Sequence, residues 1–236
     1  MVHARPAPRP GAYVLTLLLD LDGTLTDPRD GIVRSLRFAL RALGAPVPPE
    51  AELARCIGPP LGDSFRALLP DPTAARVAAA IDQYRVRFDR IGWRENRVYA
   101  GVPGFLAAVR ERGFRTVVAT SKPRVFAQRI ARHFELDAQL DAIYGAELDG
   151  TRGRKPELLA HVLTLEGVAP ERAVMVGDRR HDVEGARAHG LRSLGVTYGY
   201  GDRDELAAAG ATWICDDLEE ALAVLDAALD KSSGSA

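Results

Sequence analysis

Leu18-Leu19-Asp20-Leu21-Asp22-Gly23-Thr24-Leu25-Thr26-Asp27 is the stretch on which the fold and the chemistry both turn. A strand is expected over Tyr13–Leu19, its apolar run from Val14 to Leu19 ending abruptly at Asp20. In parallel sheets ligands gather at the carboxyl ends of strands, where Asp20 and Asp22 fall. Residues two apart on an extended chain point the same way, so the two carboxylates converge, with a tight turn at Gly23 behind them. Like charges at such range repel, and the pair needs a cation or a shared proton. A calcium loop does not fit. With Gly23 as the sixth-position glycine, the first ligand would be Leu18 and the twelfth Arg29.

Outward from this stretch, short apolar runs alternate with amphipathic helical patterns, which predicts βαβ units and a mainly parallel sheet. Further strands are expected over Thr116–Ala119, Ala142–Tyr144, Ala173–Val176, Ser193–Val196 and Thr212–Cys215. Helical stripes recur at Phe126, Ile130 and Phe134, at Leu158, Leu159, Val162 and Leu163, and at Leu218, Leu222, Leu225 and Leu229. Gly113 and Gly190 stand just past helices and lead into strands. From Pro28 to Val98 the pattern is helical throughout, over Ile32–Leu43, Leu61–Leu69 and Thr73–Ile91, with proline-rich breaks between. A block this long is no crossover loop. The expected organisation is a flexible tail over 1–12, a sheet core from 13–27 and 99–230, an inserted helical subdomain over 28–98, and a flexible end over 231–236.

Composition narrows the class. With 47% hydrophobic and 27% charged residues among 236, the chain can bury a core, and its formal net charge of −1 gives no electrostatic footprint for a nucleic-acid polymer. No run approaches the ~20 apolar residues that span a bilayer, so no membrane association is expected. The first eleven residues lack a signal-peptide core, and Cys56 and Cys215 are too few for a disulfide framework. The expected compartment is the cytoplasm.

Three more segments carry chemistry. Gly177-Asp178-Arg179-Arg180-His181-Asp182 places a second acidic pair after a strand, where acids also suit a helix dipole. Val117-Val118-Ala119-Thr120-Ser121-Lys122-Pro123 ends a strand in two hydroxyls, which either cap the next helix or present a hydroxyl and backbone N–H groups to an anion. Lys155 opens another helix in Gly153-Arg154-Lys155-Pro156. Of 31 basic residues only Lys122, Lys155 and Lys231 are lysines, and the first two follow candidate strand ends. A compact ammonium suits a point contact with phosphate or carboxylate.

In order, Asp-x-Asp-Gly-Thr at 20–24, Thr120, Lys155 and Gly-Asp-x-x-x-Asp at 177–182 resemble the four motifs of the haloacid dehalogenase superfamily phosphatases, over Leu17 to Asp217. Ile57-Gly58-Pro59-Pro60-Leu61, Ala119–Pro123, Glu147–Arg152 and Tyr198–Gly201 further resemble its phosphoglycolate phosphatase-like group and the branch labelled 5′-nucleotidase. The resemblance implies an α/β fold, a Rossmann-like parallel sheet core with an inserted α-helical cap of the C1 type. It implies Asp20 as nucleophile, Asp22 as general acid and base, and Thr120, Ser121 and Lys155 as phosphate-holding groups. It also implies Mg²⁺ between Asp20, the Asp22 backbone carbonyl and Asp178, with Asp182 either reaching the metal through water or orienting Lys155.

Departures sharpen the class. The family's dehalogenases lack the second acid, so Asp22 argues against halide chemistry, and its phosphonate hydrolases need a cap lysine, whereas 28–98 contains none. Substrate choice is expected to lie with the cap, with Gly58, Arg29 and Arg124 as candidate contacts to the leaving group. The expected activity is Mg²⁺-dependent hydrolysis of a small phosphate monoester by a monomer or weak dimer. A sugar-phosphate mutase, which shares all four motifs, and a catalytically idle phospholigand- or partner-binding relative are the alternatives.

Overall fold

The computed structural model describes residues 15–233, of which 230–233 are described as backbone alone. The expected tail over 1–12, the first residues of the expected first strand and residues 234–236 lie outside the described residues.

Alternation of strand and helix gives β1 (Thr16–Leu19), β2 (Thr26–Asp27), α1 (Arg29–Ala42), α2 (Glu50–Ala54), α3 (Leu61–Leu68), α4 (Ala74–Arg90), β3 (Arg97–Val98), α5 (Val102–Glu111), β4 (Arg115–Pro123) and α6 (Arg124–His133). It continues with β5 (Ala142–Ala146), α7 (Lys155–Glu166), β6 (Ala173–Gly177), α8 (Arg180–Ala188), β7 (Arg192–Val196), α9 (Arg203–Ala209), β8 (Trp213–Cys215) and α10 (Leu218–Ser233). Six strands form one parallel sheet in the order β5-β4-β1-β6-β7-β8. The first strand in sequence therefore lies inside the sheet, and its carboxyl end opens at the centre of one sheet edge.

Both faces are covered, as strands of near-continuous apolar character require. Leu17 and Leu19 of β1 pack with Val174 and Val176 against Phe105, Ile130 and Leu225 of α5, α6 and α10. Leu18, on the opposite face, packs with Val117 and Met175 against Leu158, Leu159 and Val162 of α7. The segment between β2 and β3 builds its own core from Ile32, Leu36, Leu40, Phe65, Val77, Ala80 and Phe88, with Phe126 of α6 added to it.

The differences from the sequence reading are physical. A strand, β3, does occur at the end of the stretch expected as helical throughout: it pairs antiparallel with β2, Thr26 opposite Val98 and Asp27 opposite Arg97. A two-residue strand is too short to show a period of two. Strand β4 runs on to Pro123 rather than ending at Ala119, with a register shift against β5 between Thr120 and Pro123. Neither Thr120 nor Ser121 caps α6, which has Pro123 at its N-cap and no side-chain cap. At the other end α10 continues through Ser233, into the stretch expected as a polar end.

Candidate active site

Strand ends supply the site. Asp20 follows β1, Asp178 follows β6, and Thr120 lies in β4, whose register shift against β5 falls at Ser121 and Lys122. Residues 21–26 turn back tightly, with the Leu21 carbonyl accepting from the N–H groups of Leu25 and Thr26 at 2.9 Å each. Gly23 holds φ +89°, and a Cβ there would drive into the Asp178 carboxylate. Glycine is thus required twice over, for its conformation and for its missing side chain.

Asp20, Asp178 and Asp182 are all buried, and each offers an oxygen within 4.8 Å of the others. Lys155 enters from the first residue of α7, its side chain only 3% exposed, with Nζ 2.9 Å from Asp20 Oδ1 and 2.7 Å from Asp182 Oδ1. It also donates to the Ala119 carbonyl at 2.9 Å. The contact with Asp182 Oδ1 falls outside hydrogen-bond angles, so that oxygen keeps its capacity for another partner. Asp182 Oδ2 meanwhile accepts from the Arg179 N–H at 3.1 Å, so this acid serves its helix as well as Lys155. Asp178 accepts from the Tyr200 N–H at 2.8 Å and from the Thr24 hydroxyl at 3.3 Å. Among the described residues no ammonium or guanidinium forms an ion pair with it.

Electrostatics follow from this packing. Burial pushes the Asp178 carboxyl well above the usual carboxylate range, and the charges of Asp182 and Asp20 push it the same way. Burial likewise raises Asp182, to about 6, against the pull of Lys155. For Lys155 burial opposes the charge, but Asp182 and Asp20 outweigh it and hold the ammonium above its ordinary value. One lysine does not balance three buried carboxylates. An all-oxygen cluster of this kind fits a hard divalent cation, which would reach Asp178 where no cationic side chain does.

Asp22 stands beside the cluster. Lys122 Nζ donates to its Oδ2, while Oδ1 is buried without a hydrogen-bond partner among the described residues. Burial raises its carboxyl, and Lys122 works against the rise. Asp20, Asp22, Thr120 and Ser121 line a cavity of about 80 Å³, together with Gly58 and Tyr84. The cavity shares Tyr84, Ser121 and Lys122 with a groove of about 490 Å³ that runs between α3, α4 and residues 146–157.

The structure therefore brings Asp20, Asp22, Thr120, Ser121, Lys155, Asp178, Asp182 and Gly58 together. It does not bring in two arginines. Arg29, whose side chain is 49% exposed, lies 3.6 Å from Glu50, and Arg124 is exposed at the start of α6 and lines neither cavity nor groove. The sequence reading did not place Arg179 and Tyr200 in this site; Lys122 it singled out by the rarity of lysine and its place after a strand, as suited to a point contact with phosphate or carboxylate, but assigned it no role.

A protein-family model described as haloacid dehalogenase-like hydrolase matches residues 17–196. The chain belongs to that family. A 5′-nucleotidase of Pseudomonas aeruginosa is 50% identical over 210 residues, 89% of this chain and 95% of that protein. The tyrosine-protein kinase PtkA of Mycobacterium tuberculosis is 44% identical over 226 residues, 93% of this chain and 76% of that protein. Among solved structures, a predicted phosphatase from Clostridium acetobutylicum superposes with a TM-score of 0.86 at 38% identity, covering 90% of this chain and 98% of that one. Within the family the chain is a phosphoric monoester hydrolase, a phosphatase acting on a small phosphorylated substrate. Among the described residues no helix is long and apolar enough to cross a membrane.

Proposed function

We propose that the chain hydrolyses a small phosphate monoester in two steps through an aspartyl-phosphate on Asp20, with Mg²⁺ held by Asp20, Asp178 and the Asp22 backbone carbonyl. The observation that carries this reading is the meeting of three buried carboxylates, Asp20, Asp178 and Asp182, with the buried ammonium of Lys155 set between Asp20 and Asp182, beside Thr120. The cation, when bound, offsets charge so that an anionic carboxylate can meet an anionic phosphate. In the first step an Asp20 oxygen attacks phosphorus and the bond to the leaving oxygen breaks. Asp22 gives that oxygen its proton, a role suited to a carboxyl raised by burial. In the second step Asp22 takes a proton from water as the water attacks phosphorus, releasing inorganic phosphate and restoring Asp20. Thr120, Ser121 and Lys155 hold the transferring oxygens, since phosphoryl transfer is catalysed chiefly by positioning and charge.

The substrate proposed is a nucleoside 5′-monophosphate or a sugar phosphate in preference to phosphoglycolate. A groove of about 490 Å³ walled by Tyr84, Phe88 and Phe126 leaves a two-carbon leaving group mostly uncontacted. Phosphate release would be measured over nucleoside 5′-monophosphates, pentose and hexose phosphates, phosphotyrosine and 2-phosphoglycolate, with and without EDTA, beside Asp20→Asn. Release that EDTA abolishes, Mg²⁺ restores and Asp20→Asn lacks is the expected result. Unchanged release by Asp20→Asn would remove Asp20 as nucleophile, and indifference to EDTA would remove the metal.

A further inference from the structure

Lys122 is one of only three lysines in the chain, and it is buried. Its ammonium is held from two sides. Nζ donates to Asp22 Oδ2, across a loop and a strand of the core. The same nitrogen sits 5.0 Å from the ring centroid of Phe88, a residue of α4 that is itself stacked on Tyr84 at 5.2 Å and set edge-on to Phe126 at 5.1 Å. A buried ammonium over an aromatic face is stabilised there by the ring quadrupole, so it has a fixed place rather than a solvated arm. With Oδ2 occupied by Lys122, the Asp22 carboxyl has one oxygen left, and Oδ1 has no hydrogen-bond partner among the described residues although the side chain lines the cavity.

We infer that Lys122 is a positioning residue for Asp22: it grips Oδ2, fixes the rotamer, and leaves Oδ1 as the oxygen that carries the proton to the leaving group. The inference rests on the reading of Asp22 as general acid. In the step itself the Asp22 Oδ1–H bond breaks as the P–O bond to the leaving group breaks, the leaving oxygen takes the proton, and Asp22 becomes a carboxylate already paired with Lys122. Phe88 of α4 supplies the second side of the grip.

The test reads kcat/KM, which ends at departure of the leaving group, on two substrates. An alkyl phosphate (a nucleoside 5′-monophosphate or pentose 5-phosphate) expels a basic alkoxide and needs the proton; 4-nitrophenyl phosphate expels a weakly basic phenolate and does not. Lys122→Met is expected to lose ~10²-fold on the alkyl phosphate, the size of a misplaced catalytic group or a lost general acid, and several-fold at most on the aryl phosphate. The ratio of the two substrates in one preparation is unaffected by any fraction of unfolded protein. Lys122→Arg, which keeps a charged donor for Oδ2, is expected to recover part of the ratio. Equal loss on both substrates would make Lys122 a phosphate contact or a packing residue, and no loss on either would leave it without a role; each overturns the inference. Asp22→Asn run alongside separates the two claims. If it is selective against the alkyl phosphate and Lys122→Met is not, the inference alone falls. If Asp22→Asn shows no selectivity, the reading of Asp22 falls and the inference with it.

Discussion

Lys155 has three oxygens around a single nitrogen: Asp20 Oδ1, Asp182 Oδ1 and the Ala119 carbonyl, all within 2.9 Å. A guanidinium is planar and larger, and it cannot reproduce a point charge at that junction. Lys155→Arg is therefore expected to lower kcat by ~10²–10³-fold, the cost of a misplaced electrostatic donor. A rate within a few-fold of the wild type would show that the ammonium serves only to neutralise the buried acids. Asp20, Asp22, Thr120, Lys155 and Asp178 were legible in the sequence because each sits at a strand end or helix start that local pattern marks. Tyr200 and Arg179 were not. Tyr200 reaches Asp178 through a backbone N–H, which no residue type announces. Arg179 donates to the Ile57 carbonyl at 2.6 Å and to Glu205 at 2.9 Å, partners far away in sequence.

Among the elements, β4 shows why part of the site was hidden. Its register shift after Thr120 lets the strand continue while turning Lys122 toward Asp22, and such an irregularity has no period to detect. Helix α8 contributes by what it lacks. A Cβ at Gly185 would come within 2.6 Å of Lys155 Cγ and 2.9 Å of its Cβ, so the lysine passes under this helix only because the position is bare. Gly185→Ala gains ~1 kcal/mol of helix propensity but presses on the base of Lys155. The expected result is a kcat loss of tenfold or more, as small displacements of a catalytic group cost, while circular dichroism stays native. Wild-type kcat in Gly185→Ala would mean that α8 shifts away freely. The expected helices over Ile32–Leu43, Leu61–Leu69 and Thr73–Ile91 correspond to α1, α3 and α4 within a few residues, whereas five-residue α2 was too short to read.

On the scale of the whole molecule, the helical segment is tied together where the chain leaves it for the sheet core. Glu95, just before β3, accepts from Arg87 of α4 at 2.7 and 2.9 Å and from Arg34 of α1 at 2.8 Å. The hydrogen bonds from Arg87 hold its carboxyl below the usual range against its partial burial, and Arg34 adds to them. A carboxylate depressed in the folded state stabilises above its ordinary value, here 4.5, and loses that contribution as pH falls through the lower folded value. Glu95→Gln should lower Tm at pH 7 by ~2–4 °C, the shift that ~1 kcal/mol produces in a chain of this size. The gap between mutant and wild type should close as pH falls below 4.5. A gap that stays constant down to pH 3 would mean that the Glu95 charge contributes nothing. The contacts named here that join α4 to the core run from Arg129 to Asp89 and from Arg85 to the Leu148 carbonyl, so this helix is held over the cavity at two points.

The place of β1 in the middle of the sheet bears on how the chain is made. Its two neighbours, β4 and β6, begin at Arg115 and Ala173, with all of α1 to α4 intervening before the first of them. A nascent chain leaving the ribosome therefore exposes Thr16–Leu19 with both edges unpaired until β4 emerges, and with one edge unpaired until β6 follows. At ~5–20 residues per second that interval is many seconds long, during which the helices can close on their own core but the strand that ends at Asp20 cannot. Asp20 is translated early and seated late, and its apolar strand is a segment that a chaperone can shield in the meantime.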